Sequence, residues 1–268
     1  MSTSPAAQQF AKDDTLTICA ISVLAFLVGD VSHEGIGHAL LALLTGTQSG
    51  ILTAVAWSSS FDSRLVAAGG TLVNLVLGLL FWLALRAAKN ASVSTRFFLL
   101  LSCAFNLFTG TGYFFFSGVS NFGDWAVVIA PMQPHWFWRT LLVIVGMGAY
   151  YGAVLVVGQG IVRYLGIPVD ALPRLRKFLF LPYFSAILIA VAGTLPTPVG
   201  ISLVWQSALP ATAGANSGLL WLRYYIPHST VPERPSPSLQ RSYVWIAIAT
   251  LCSLAFIFVL GRGITLHR

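Results

Sequence analysis

Val31-Ser32-His33-Glu34-Gly35-Ile36-Gly37-His38 sets two imidazoles and a carboxylate inside an otherwise apolar stretch. The apolar residues around it run from Thr15 to Thr45. A helix needs roughly 20 residues to span the hydrocarbon core, so this stretch predicts one tilted transmembrane helix that projects beyond it. Ionisable groups at membrane depth cost free energy, and their presence there points to function. Glu34 is one of only two glutamates, the other being Glu233, and Asp30 lies three residues before His33 and four before Glu34.

Working outward, the composition fits that helix. The 268 residues are 56% hydrophobic and 9% charged, with a mean hydropathy of +0.80. A soluble domain carries about 25% charged residues. The sequence therefore predicts an all-α fold: a polytopic transmembrane helix bundle of about six spans. The formal charge of +7 would suggest nucleic acid in a soluble protein. Here the basic residues sit mostly in loops between apolar spans, which fits anchoring at a membrane face and no nucleic-acid partner. Cys19, Cys103 and Cys252 are isolated, form no Cys-x-x-Cys pair and read as small buried hydrophobes. Met1 to Asp14 forms a polar tail without the basic-then-apolar order of a cleaved signal, so the first span is expected to be retained.

After the first span, Gly46 to Ser63 reads as a polar connection, followed by spans at Arg64 to Leu85 and Arg96 to Val119. Ser120 to Pro134 is a loop holding Asp124. Further spans are expected at Phe137 to Val157, Phe178 to Leu195 and Tyr243 to Leu260, with a Pro-rich stretch at 196–242. Within that stretch Val199 to Leu222 is apolar enough for an interfacial or re-entrant segment; a full crossing there would move the C-terminus to the other side. Six spans with the basic residues weighted to one face place both termini in the cytoplasm. The chain divides into the tail 1–14, a core of three helices over 15–125, and additional helices over 126–268.

The chemistry turns on spacing. His-Glu-x-x-His on a helix is the zinc motif of metalloproteases, whereas this chain reads His-Glu-x-x-Gly-His. At 3.6 residues per turn, positions four apart lie about 40° out of line and positions five apart about 140°. His33 and His38 therefore share a metal only if the helix widens by one residue, as in a π-bulge. Gly35 and Gly37 lie within the stretch where such backbone freedom is wanted. Two buried histidines with satisfied hydrogen bonds are the plain alternative. Asp30 would either orient the His33 imidazole from behind or be a polar residue lining a wet cavity. The same spacing resembles the zinc motif of the dipeptidyl peptidase III family, which is soluble.

The order of motifs resembles the site-2 protease family of intramembrane zinc metalloproteases. The matching pieces are His33-Glu34-Gly35-Ile36-Gly37-His38-Ala39-Leu40, then Ala68-Gly69-Gly70-Thr71-Leu72-Val73-Asn74-Leu75, then Ser117-Gly118-Val119-Ser120-Asn121-Phe122-Gly123-Asp124-Trp125. They cover roughly residues 20 to 125; the rest carries nothing specific to that family, and no PDZ domain is visible. This chain differs in the longer histidine spacing and in Gly123-Asp124-Trp125 standing where the family has Asp-Gly. The resemblance implies His33, His38 and Asp124 as ligands of Zn²⁺, with Glu34 as general base. Asp124 also follows the third span, on the membrane face where the first helix ends, so a loop dipping inward would bring it to His38. Asn74 would either hydrogen-bond an extended substrate backbone or tie two helices together. Asn106 and Asn121 are weaker candidates of that kind, and His135 is a loop histidine near Asp124 in sequence. The Gly69-Gly70 pair reads as a site of close helix packing.

The function implied is hydrolysis of a peptide bond in or near a membrane segment, the partners being a membrane protein or peptide substrate and the lipid bilayer. Two other readings compete. His33 and His38 satisfy a His-x-x-x-x-His box of a membrane iron oxygenase, but that chemistry needs several paired histidine clusters and the chain has five histidines in all. A catalytically inactive site-2-like scaffold is the other; the altered spacing favours it and the presence of Glu34 opposes it.

Overall fold

A computed structural model describes residues 12–60, 63–228, 230, 233 and 237–268. Apart from residues 12–14, the expected N-terminal tail lies outside the described residues. The protein is an all-α bundle, with six helices among the described residues long and apolar enough to cross a membrane. They are α1 (Thr15–Leu44), α2 (Arg64–Ala87), α3 (Val93–Ser120), α5 (His135–Leu165), α6 (Leu172–Thr194) and α7 (Tyr243–Arg262). A short helix, α4 (Asp124–Ile129), follows α3.

The helices begin where polar caps stop the apolar runs. Asp14 accepts from the backbone N–H of Thr17 at the start of α1, Ser63 caps α2 through Val66, and Ser92 caps α3 through Thr95. These side chains satisfy donors that a helix start otherwise leaves unpaired. α1 packs against α3, α6 and α7, and α3 packs against both α2 and α5. Phe97, Phe105, Phe108 and Phe178 are fully buried in the resulting core with Ile18, Ile21, Leu100 and Leu179.

The polar connection after α1 is more ordered than its sequence suggests. It forms β1 (Ser49–Leu52) and β2 (Trp57–Ser59), antiparallel with Gly50 opposite Ser59. The last strand, β3 (Ile264–His267), pairs with the other edge of β1, giving the order β2-β1-β3. The Trp57 indole lies against Gly50, where a Cβ would collide with it.

The stretch after α6 traverses the bundle. Residues 200–225 are helical but interrupted: π turns at Val204–Ala208 and Pro210–Gly214 give way to 3₁₀ turns at Ala215–Ser217 and Leu222–Tyr225. Pro210 lacks the N–H that a regular helix needs. Side chains replace part of the missing ladder: the Tyr150 hydroxyl donates to Ala215 O and accepts from Gly218 N–H, and the Tyr183 hydroxyl donates to Ala213 O. The segment starts beside the C-terminal end of α6 and finishes near Gly158 of α5, after which Glu233 N–H donates to Arg163 O.

This crossing sets where the ends of the described chain lie. Asp13 and Asp14 meet Arg174, Leu239 and Arg241 at one end of the bundle. Arg268 N–H donates to Gln48 O at the other. Residues 12–14 and Arg268, the ends of the described chain, therefore lie at opposite ends of the bundle. The interruptions within residues 200–225 hide this traversing segment from a search for long apolar runs.

Candidate metal centre

The centre is built where α1 changes pitch. Ser32–Leu40 forms a π-helical stretch within α1, the widened turn that the His33–His38 spacing requires. With i→i+5 pairing, residues five apart become neighbours. His33 and His38 are both buried, with their Nε2 atoms 3.2 Å apart.

Glycine lets α2 press against this stretch. A Cβ on Gly37 would collide with the Gly70 backbone, and one on Gly69 would collide with Gly37 O and reach 2.8 Å from Leu41 Cδ2. Only bare backbone fits at this crossing, the small-residue packing expected of membrane helices. Gly70 has a second consequence. A Cβ there would stand 2.5 Å from the Nε2 of both His33 and His38. The missing side chain leaves the space in front of the two nitrogens free.

Asp124 arrives from the opposite direction. After α3, Asn121 adopts a left-handed conformation (φ 54°) and Gly123 a positive φ of 83°, which glycine tolerates without strain. The chain thus turns back on itself, and α4 begins with Asp124 facing the histidines. Arg139 holds the turn by donating to Gly118 O and Val119 O, the exposed carbonyls at the end of α3. Asp124 Oδ2 stands 3.3 Å from His33 Nε2 and 3.5 Å from His38 Nε2.

The hydrogen bonds behind the rings fix which nitrogens face Asp124. His33 Nδ1 lies 2.5 Å from Asn74 Oδ1, and His38 Nδ1 lies 2.7 Å from Val66 O. Both partners are acceptors, so each Nδ1 carries a proton, and in the neutral ring each Nε2 presents a lone pair. Asp124 Oδ2 is buried without a hydrogen-bond partner among the described residues. Two nitrogen lone pairs and a carboxylate oxygen therefore converge. One proton satisfies only one of these contacts, whereas a cation satisfies all three. Ligands about 2.0–2.2 Å from a tetrahedral metal are about 3.3–3.6 Å from one another. The observed edges of 3.2, 3.3 and 3.5 Å match that triangle. His33, His38 and Asp124 fit a metal ion held by three protein ligands.

A cavity of about 1390 Å³ opens on this triangle, with Glu34, His38 and Asp124 in its wall. β2 and the turn before it contribute Val55, Ala56 and Trp57, while α5 and residues 203–225 form the far side. Most of the lining is apolar or aromatic. Tyr150, Tyr151, Trp221 and Tyr225 form one ring cluster there, with centroids 5.4–6.0 Å apart. Asn121 and His135, hydrogen-bonded at 3.0 Å, also line the cavity. A smaller chamber of about 30 Å³ lies behind Glu34, bounded by Asp30, His33, Thr109, Tyr113 and Thr212 among others.

The candidates from sequence separate clearly. His33, His38 and Asp124 meet, and half-buried Glu34 lines the cavity beside them. Asn74 is fully buried, and its amide is committed to His33, Gly29 O and Asn106. Of its two expected roles, the tie between helices is the one observed, together with a hold on His33. Asp30 does not hydrogen-bond His33, whose Nδ1 is taken by Asn74; its Oδ2 is buried beside the small chamber without a hydrogen-bond partner among the described residues. Gly70, Val66 and Tyr113, whose ring stacks on His33 at 5.1 Å, were not singled out as site residues. The facing Gly-x-Gly and Gly-Gly pairs were the available signal for Gly70. A backbone carbonyl such as Val66 O leaves no signal in sequence.

Comparison with protein-family models, curated proteins and solved structures finds no match.

Proposed function

We propose that this protein is an intramembrane zinc metalloprotease of the site-2 type, hydrolysing a peptide bond in or near a membrane segment. The observation that carries the proposal is the ligand triangle closed on one side by α2 and open on the other to a cavity with Glu34 in its wall. Zinc suits two imidazoles and a carboxylate with a fourth position left free. Bound zinc would supply Lewis acidity and bring the pKa of water near neutrality.

The chain's own residues supply the rest. Glu34 takes a proton from the attacking water and returns it to the leaving amine. Asn74 and the Val66 carbonyl hold the two imidazoles in one tautomer. The apolar walls formed by α5 and residues 203–225 receive side chains of a membrane segment unwound around the scissile bond.

The basic residues also suggest an orientation. Arg86, Lys89, Arg174, Arg176, Lys177 and Arg241 gather at the N-terminal end of the bundle, and Arg64, Arg139, Arg262 and Arg268 at the other. By the positive-inside rule we read the N-terminal end as cytoplasmic, which would put the proposed metal in the outer half. In a cysteine-free background, an impermeant maleimide added outside should label Gln48→Cys and spare Asn90→Cys. The reverse pattern would invert the topology while leaving the enzyme reading intact.

The deciding experiment measures metal content and cleavage of single-span reporter proteins, wild type beside Glu34→Gln. About one zinc per chain in both proteins, with cleavage by the wild type alone, is the expected result. Cleavage by Glu34→Gln at the wild-type rate, or uptake of iron but not zinc, would overturn the proposal. Zinc without cleavage of any reporter would favour the inactive scaffold.

A further inference from the structure

We infer that Asn106, which touches neither the ligand triangle nor the cavity, is a positioning residue for the metal through a relay of side-chain amides across three helices. The inference rests on the metal reading above. Its starting point is a backbone carbonyl. Asn106 Nδ2 donates to Ser102 O of its own helix, α3, at 2.8 Å. That bond turns Asn106 Oδ1 toward α2, where it accepts from Asn74 Nδ2 at 2.9 Å. Asn74 Nδ2 also donates to Gly29 O of α1 at 3.1 Å. Both bonds leave Asn74 Oδ1 to face His33 Nδ1. His33 must then carry its proton on Nδ1 and present the Nε2 lone pair to the triangle.

Every amide in this path is fully buried, so water cannot substitute for a lost partner. A flipped Asn74 would set its oxygen against Gly29 O and Asn106 Oδ1 and offer its nitrogen to His33. That arrangement favours the opposite imidazole tautomer, whose Nε2–H points at the metal position. Gly29 takes part by being small: a Cβ there would stand 3.3 Å from Asn106 Nδ2. The relay thus needs a glycine on α1, an asparagine on α2 and an asparagine on α3, none of them a ligand.

Two near-isosteric variants separate positioning from packing. Asn106→Leu keeps the volume and removes both hydrogen bonds. Asn106→Asp, protonated in this apolar setting, keeps an acceptor for Asn74 and a donor for Ser102 O. The readouts are zinc affinity by chelator competition and the visible spectrum of the cobalt-substituted protein in detergent. Loss of a partner behind a metal-ligating histidine typically costs 10–100-fold in affinity. One step further back, Asn106→Leu is expected to weaken zinc about tenfold and alter the cobalt spectrum. Asn106→Asp should stay within about threefold of wild type with the same spectrum.

Gly29→Ala, which crowds Asn106 without removing an amide, should fall between them and serves if the leucine variant does not fold. Wild-type affinity and spectrum in either Asn106→Leu or Gly29→Ala would overturn the relay. A reversed order, with aspartate worse than leucine, would assign Asn106 to packing and overturn it too. A wild-type protein that binds neither zinc nor cobalt would overturn the metal reading and the relay together, which distinguishes that failure from the relay failing alone.

Discussion

The two sides of the ligand triangle are built on opposite principles. On the α2 side, backbone meets backbone: Gly37 lies against Gly69 and Gly70, and the histidines are held by Val66 O and a buried amide. On the cavity side, Asp124 hangs from a turn, and the wall behind it is a helix broken by π and 3₁₀ turns. The first side has no room for a methyl group, whereas the second encloses about 1390 Å³. The proposed metal would require fixed distances, while the proposed substrate would have to come and go. The closed side should therefore control metal affinity, and the open side, apart from Asp124 and the turn that carries it, should tolerate change without affecting it.

The strongest challenge to this division is Gly70→Ala. Its Cβ would stand 2.5 Å from both Nε2 atoms, inside any contact distance. One ring must rotate away or the helices must separate, and either change breaks the triangle. Zinc affinity is expected to fall on the order of 100-fold or more, since metal binding depends on a preformed ligand set. Competition with a chromogenic chelator measures this, and gel filtration in detergent confirms that the bundle survives. Retention of wild-type affinity would mean that the closed side is not closed.

A smaller effect tests the two imidazoles against each other. His33 is held by a side chain and His38 by a carbonyl. Asn74→Leu removes the first support and should cost about 10–100-fold in zinc affinity. Val66→Ala leaves the carbonyl in place, so His38 should keep its partner and affinity should stay within about threefold of wild type. Equal losses in the two variants would show that packing, and not the hydrogen bonds, holds the rings. Isothermal titration with zinc in detergent distinguishes these outcomes.

This division also explains what was legible in the sequence. His33, Glu34, His38 and Asp124 stand out because charge and imidazole are rare among apolar residues and costly at membrane depth. The six long helices are legible for the related reason that a spanning helix needs an unbroken apolar run. The need for a widened turn followed from the five-residue spacing, and the π stretch at Ser32–Leu40 supplies it. Asn74 was legible as polar but not as a partner, because an amide bound to substrate and one bound to histidine look alike in sequence. The role of Gly70 depends on which residues α1 presents at the crossing, which no single segment encodes. The traversing segment 200–225 was obscured by Pro210 and by turns whose missing backbone bonds are completed by distant tyrosines. β3 was hidden because its partner, β1, lies more than 200 residues away in the chain.

The mildest test sits on the open side, at Tyr150. Its hydroxyl donates to Ala215 O and accepts from Gly218 N–H at 2.8 Å, bridging the point where the broken helix changes pitch. Its ring also closes the aromatic cluster with Trp221. Tyr150→Phe keeps the ring and removes the bridge. Two hydrogen bonds at about 1 kcal/mol each set the expected loss of stability at about 1–2 kcal/mol. The loss should be local, because the core of α1, α2 and α3 does not depend on this bond. Hydrogen exchange should quicken over residues 200–225 and stay unchanged over residues 29–40, and zinc affinity should move by less than about twofold. Faster exchange in both regions, or a tenfold fall in zinc affinity, would mean that the broken helix helps to hold the ligands. The cavity wall and the wall carrying the two histidines would then be one cooperative unit.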